Sequence, residues 1–132
     1  MKHIFLTFII LLAFQSCSTK FDVNSFSKNR WILRTWTANK FPSRASASLK
    51  FEPNNKISGN AFCNSFGGTV KITDSSIKFD QIFSTKKFCE GLSEFESKFL
   101  EDLQKIDSAK VAGGKLTLYI KGDRIMTFTE PR

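Results

Sequence analysis

Near its C-terminus the chain uses one device twice, a pair of turn residues on either side of an alternating run. Gly113-Gly114 and Gly122-Asp123 bracket Lys115–Lys121, in which Leu116, Leu118 and Ile120 alternate with polar residues. Period-two alternation belongs to a strand with one buried face, and a glycine-bearing two-residue turn returns the chain antiparallel beside it. Ser108–Ala112 and Arg124–Thr129 flank this run and complete a β-meander.

The same punctuation recurs upstream. Arg30–Asn39 is rich in Trp, Ile, Leu and Thr, and Ser46–Phe51 leads through Pro53-Asn54-Asn55 into Ile57–Cys63. Gly67-Gly68 precedes Thr69–Thr73, and Asp74-Ser75 turns into Ser76–Phe79, where Ile77 and Phe79 share a face. One helix interrupts the strands. Ser93 with Glu96 reads as a capping box. Phe95, Phe99, Leu103 and Ile106 then recur at helical spacing, with Leu100 widening the stripe. The stripe reads as core packing, and Glu94, Glu96, Glu101 and Asp102 as a solvated face. Eight or so short strands with one helix predict a mainly β fold, either a small antiparallel barrel or a strongly bent sheet.

The first residues carry a different signal. Lys2 and His3 are followed by an apolar run, Ile4 to Phe14, broken only by Thr7, with Ser16 directly before Cys17. Such a run has the length of a signal-peptide core and falls short of the roughly 20 apolar residues a transmembrane helix needs. Its ending resembles a lipobox. Residues 1–16 are therefore expected to be a lipoprotein signal peptide, cut to leave lipid on Cys17. Residues 17–29, rich in Ser, Lys and Asn, read as a tether, and residues 30–132 as the domain. The expected location is the bacterial cell envelope, with the chain lipid-anchored in the outer membrane at its periplasmic face or at the cell surface.

Cleavage there would remove His3, the only histidine, and Lys2, leaving 19 of the 20 Lys and Arg against 12 Asp and Glu, a formal +7. Without histidine no Ser–His–Asp or Cys–His nucleophile can be assembled, nor a His-containing zinc site. Two further cysteines cannot complete a four-thiolate site. No catalytic residue, metal or cofactor is expected, and the reading is not an enzyme. An envelope protein meets little nucleic acid, so the basic surface is expected to face anionic lipid headgroups or wall polymers. Twelve of the fifteen phenylalanines remain after cleavage and are spread along the chain, which suits a filled interior. A monomer is expected.

One segment is distinctive: Ile57-Ser58-Gly59-Asn60-Ala61-Phe62-Cys63-Asn64-Ser65-Phe66-Gly67-Gly68, followed later by Thr85-Lys86-Lys87-Phe88-Cys89 and a helix opening near Glu94. This order resembles the META/HslJ family of bacterial envelope lipoproteins (DUF306). That family carries a Gly-x-x-Gly-Cys-Asn-x-Phe-x-Gly strand, then Thr-x-Met-x-Cys, then an acidic residue opening a helix. Gly59, Cys63, Asn64, Phe66, Gly68, Thr85 and Cys89 occupy the matching positions, as do Trp31, Leu33, Phe51, Leu103, Leu116, Leu118 and Phe128. Phe62 stands where the family has a glycine, and Lys87-Phe88 replaces the Met-x pair. The resemblance implies a lipocalin-like antiparallel β fold with a helix, an envelope location and a link to stress or antibiotic tolerance, without an established catalytic activity.

Cys63 and Cys89 would sit in an oxidising compartment, where a structural disulfide is the expected state. Two buried free thiols, or a reactive thiol activated by Lys86 or Lys87, are the alternatives. Asn64 and Thr85 read as turn or cap residues, with ligand contact as the alternative. Trp31 and Trp36 lie five apart, so on a strand they would point to opposite faces, one becoming an interaction surface. Three functions compete: an envelope protein acting through binding in stress tolerance or envelope maintenance, an inhibitor or binder of a secreted enzyme, and a carrier of a small apolar ligand. An internal cavity would favour the carrier, and a protruding loop with exposed aromatics the inhibitor.

Overall fold

The computed structural model describes Phe26, residues 30–37, 39–74 and 76–132. The signal peptide expected over residues 1–16, and Cys17 with it, lie outside them.

Turn residues fold the chain into two meanders. The first comprises β1 (Arg30–Trp36), β2 (Ala47–Glu52), β3 (Lys56–Ala61), β4 (Asn64–Ile72) and β5 (Ile77–Ser84). The second comprises β6 (Ser108–Ala112), β7 (Lys115–Ile120) and β8 (Asp123–Thr129). Gly113 and Gly114 have φ of +57° and +70°, the left-handed pair that lets a two-residue turn follow the twist of its strands. The last turn falls at Lys121-Gly122, one residue earlier than expected, since Ile120 pairs with Asp123. β1 pairs with both β2 and β8, so one antiparallel sheet runs in the order β5-β4-β3-β2-β1-β8-β7-β6. The sheet curls until its edges approach, and the Ile77 N–H donates to the Asp107 carbonyl oxygen at 3.1 Å across the seam. Among the described residues the architecture is a curled half-barrel closed by a thirteen-residue helix, the bent-sheet form of the expected mainly β fold.

The helix α1 (Ser93–Lys105) packs into the open side. Its stripe behaves as read: Phe99 and Leu103 are fully buried, and Ile106 follows them into the core. Trp31, Leu49, Phe79, Leu116, Leu118 and Phe128 fill the inside from the sheet. Each such side chain contributes roughly 1.5–3 kcal/mol on burial. The helix start differs from expectation. Leu92 is the N-cap and no side chain caps it, because Glu96 is drawn to a partner across the core.

Two irregularities in the sheet decide which aromatic rings face inward. Between Leu33 and Thr35 the β1–β8 register shifts, with Leu33 opposite Phe128 and Thr35 opposite Thr127. Arg34 is the extra residue, and a bulge of this kind reverses side-chain parity downstream. Trp31 and Trp36 are therefore both inside, 0% and 4% exposed. The interaction surface expected from one of them is corrected: neither tryptophan faces solvent.

The second shift lies between β4 and β5, where Gly67 faces Phe83 but Thr69 faces Asp80. Gln81, at φ +50°, is placed in this extra step. Ile77 and Phe79 share a face as expected, and it is the inner one, yet beyond the bulge Ile82 takes the inward place and Phe83 turns out, 69% exposed. The tether expected over residues 17–29 also needs correction. Phe26 is 2% exposed, its ring lies 5.0 Å from that of Phe51, and its carbonyl accepts the Trp31 indole N–H. An apolar ring next to an open core edge is worth more buried than hydrated.

Candidate functional site

The family-motif residues converge on the tip of the β3–β4 hairpin. Gly67-Gly68, expected to precede a strand, instead lie within β4, and the turn is made by Phe62-Cys63 because Ala61 pairs with Asn64. The Cys63 N–H donates to the Ala61 carbonyl at 2.8 Å. This closes a three-residue γ-turn around Phe62, whose φ is +65°. Positive-φ γ-turns are strained, and for a bulky residue the cost is about 1–3 kcal/mol. The backbone thus explains why the family pattern has glycine here. In this chain the cost is offset by packing: the Phe62 ring lies 5.4–6.1 Å from the rings of Trp36, Phe41, Phe95 and Phe99.

Asn64 is the hub. Its side-chain Nδ2 donates to both Glu96 carboxylate oxygens, at 3.1 and 2.9 Å, and to the Lys87 carbonyl at 2.9 Å. Its Oδ1 accepts from the Thr85 hydroxyl at 2.8 Å and the Lys87 N–H at 2.7 Å. The Asn64 backbone N–H also donates to Glu96, at 3.1 Å. One amide therefore clamps both backbone groups of Lys87 and ties the hairpin to α1. This is the backbone-satisfying role expected of Asn64, and Thr85 serves it. Glu96, expected on a solvated face, is buried instead, 8% exposed, because an acceptor is needed where Asn64 offers donors.

Asp102 departs in the same way. At 6% exposure it accepts the Trp36 indole N–H at 3.0 Å and pairs with Lys98 one turn back. Hydrogen bonding to Asp102 holds the Lys98 ammonium above the usual lysine range. A cation shifted this way adds stability throughout neutral pH and loses it only as pH rises through the raised value. Trp36→Phe keeps an aromatic ring, though a smaller one, and removes the donor to a nearly buried carboxylate. The expected loss is about 2 kcal/mol in urea unfolding, and a loss near zero would mean that Lys98 alone satisfies Asp102.

The remaining motif residues are explained by packing. A Cβ on Gly59 would lie 2.0 Å from the Ser48 carbonyl oxygen and 2.7 Å from the Phe66 ring. Phe66 covers this cross-strand glycine from β4, and nothing larger fits. At Gly68 an added Cβ would lie 2.8 Å from the Asp80 carbonyl oxygen, the backbone brought close by the β5 bulge. Cys63 and Cys89 form a disulfide, with Cα atoms 6.0 Å apart. It joins the strained hairpin tip to the segment entering α1.

The hub also fixes what lies beside it. Residues 85–88 are exposed, with the Thr85 N–H on the Ser65 carbonyl and the Lys87 backbone on Asn64. Phe88 is 82% exposed and Phe83 69%, the two large hydrophobic side chains left outside the core among the described residues. The far end of the Phe83 ring rests over Gly67, where an added Cβ would come within 2.7 Å of Cζ. Neither ring was singled out from sequence. For Phe88 a signal existed, the replacement of the family's Met-x pair by Lys87-Phe88. For Phe83 the parity of Ile77 and Phe79 pointed the wrong way.

The stretch of chain that carries this hairpin, hub, disulfide and helix matches the META domain family model over residues 24–132. The chain belongs to the META domain family. Solved structures with a similar fold include a protein from Burkholderia xenovorans determined by NMR. It is 21% identical, with a TM-score of 0.68 over 82% of this chain and 85% of that one. A second NMR structure is 18% identical, with a TM-score of 0.66 over 83% and 95% of the two chains. A crystal structure of a DUF4847 family protein from Bacteroides vulgatus is 12% identical, with a TM-score of 0.61 over 80% and 94%. At these identities the likeness concerns the fold alone. No curated protein matches the chain.

Proposed function

We propose that this META domain protein is a non-enzymatic lipoprotein of the bacterial envelope, held by lipid on Cys17, that acts in stress or antibiotic tolerance or envelope maintenance by binding. The observation that carries the reading is the exposed pair Phe83 and Phe88 on a segment that the Asn64 clamp and the disulfide immobilise. Exposed rings cost solubility, and a domain that holds them rigidly outside its core offers a prepared contact surface. The two buried carboxylates of α1, Glu96 and Asp102, support binding rather than chemistry, since both are engaged in holding the helix. The interior is taken up by Trp31, Phe79, Phe99 and Phe128, which favours surface contact over carriage of a ligand inside.

The test is complementation of a deletion strain under heat and antibiotic challenge. The wild-type gene should restore survival. Cys17→Ala and the double variant Phe83→Ser/Phe88→Ser should not, at unchanged protein level. Full rescue by the double variant would show that these rings are not the contact. Unchanged survival of the deletion strain would remove the stress role itself.

A further inference from the structure

We infer that Phe83, Lys86, Lys87 and Phe88 dock the domain on an anionic lipid bilayer, as a second attachment beside the lipid on Cys17. The inference rests on the lipoprotein reading above and names the partner of that contact surface. Its chemistry is that of an interfacial loop. Two aromatic rings, 69% and 82% exposed, flank two exposed lysines. Rings settle at the headgroup level, while lysine stems lie along apolar surface and keep their ammonium groups in the polar layer.

Charge favours the same partner. From Phe83 to Glu90 the segment carries two lysines and one carboxylate, Glu90, within a chain that keeps a formal +7 after cleavage before Cys17. Anionic headgroups attract such a surface, and the attraction falls off within a Debye length. The loop needs no ordering on contact, because Asn64 holds the Lys87 N–H at 2.7 Å and the Lys87 carbonyl at 2.9 Å. By contrast, two rings and two cations are small beside the roughly 800 Å² per side of a stable protein interface.

The tether supplies what such a small contact lacks. Phe26 sits on Phe51, next to the β2–β3 turn, whereas Phe88 lies by the hairpin tip at the other end of β3. β3 has six residues, so these ends are about 20 Å apart. Cys17 and Phe26 are nine positions apart in sequence, which bounds their separation at about 30 Å. A domain leashed at that length can lay its far end on the membrane that anchors it. The leash then makes weak docking effective through high local concentration.

The experiment uses the lipidated full-length product carrying Phe88→Trp, reconstituted in vesicles with brominated acyl chains. The vesicles contain phosphatidylcholine alone or mixed with phosphatidylglycerol. Trp31 and Trp36, 0% and 4% exposed, give a background that the brominated chains do not reach. The introduced indole should be quenched several-fold above that background in phosphatidylglycerol vesicles. Quenching should return to background in phosphatidylcholine alone, in high salt, and with Lys86→Glu/Lys87→Glu. No quenching in phosphatidylglycerol vesicles overturns bilayer docking, and equal quenching in both overturns the role given to anionic headgroups and to Lys86 and Lys87. If docking fails while Phe83→Ser/Phe88→Ser still abolishes complementation, the loop remains the contact and its partner is a protein. If complementation is intact as well, the contact-surface reading fails with it.

Discussion

Asn64→Ala is expected to lower folding stability by about 4 kcal/mol, measured by urea unfolding at neutral pH. The size follows from what the amide leaves behind. Glu96, 8% exposed, loses the Nδ2 donor and keeps only the Asn64 backbone N–H. Hydrogen bonds to charged groups contribute about 1.5–3 kcal/mol, and stripping a partner from a buried carboxylate adds its desolvation. The Thr85 hydroxyl and both Lys87 backbone groups lose their partner too, although these are exposed enough for water to replace it. Two further variants separate the contributions. Glu96→Gln should cost about 2 kcal/mol, since its amide nitrogen would face the Asn64 donors. Asn64→Ala combined with Glu96→Leu should cost clearly less than the sum of Asn64→Ala and Glu96→Leu alone, because no charge is left stranded. Additive losses, or an Asn64→Ala cost under about 1 kcal/mol, would mean that the hub does not couple hairpin to helix.

The contrast between Glu96 and Phe99 shows which features of this fold are legible in its sequence. Phe99, Leu103 and Ile106 obey a local period, so their shared burial can be read without knowing what they face. Glu96 stands three residues before Phe99 and carries a charge. Local rules make it either a cap for Ser93 or part of a wet face. Its actual partner lies 32 residues away in sequence, and only the closed half-barrel brings the two together. Parity arguments failed for the same reason. The steps at Arg34 and Gln81 are each a single extra residue without glycine or proline to mark it, yet one turns Trp36 in and the other turns Phe83 out. The glycines misled in the opposite direction. Gly67-Gly68 has turn composition, but its need for small residues comes from Phe83 and the Asp80 carbonyl pressing on it across the strand pair. What the motif did convey was order. Cys63, Asn64, Thr85 and Cys89 were recognised together from the family pattern, and they do form one knot.

Cys63→Ser/Cys89→Ser is expected to cost about 3.5 kcal/mol, or roughly 15 °C in Tm, while leaving the domain folded at room temperature. The disulfide spans a sequence separation of 26, and opening a loop of that length returns its closure entropy to the unfolded chain. The folded state should change little, because the Asn64 clamp still holds the Lys87 backbone and the Thr85 N–H still pairs with Ser65. Reduction of the wild type should therefore reproduce the Tm shift, and the serine variant should ignore reductant. Adding Asn64→Ala to the serine pair removes the clamp as well as the disulfide, leaving the Thr85 N–H on the Ser65 carbonyl as the remaining tie on this segment. Phe62 would then be held at its unfavourable φ of +65° only by its aromatic neighbours and the backbone bonds of the tip. Among these are the Phe62 N–H to the Ser46 carbonyl and the residue 64 N–H to Glu96. The combined loss should exceed the separate ones, and amide exchange should rise first at residues 62–64 and 85–89. A Tm shift of only a few degrees on reduction would mean that the unfolded chain already keeps these segments together. Unfolding of the serine pair at room temperature would mean that the clamp forms only after the cysteines have joined.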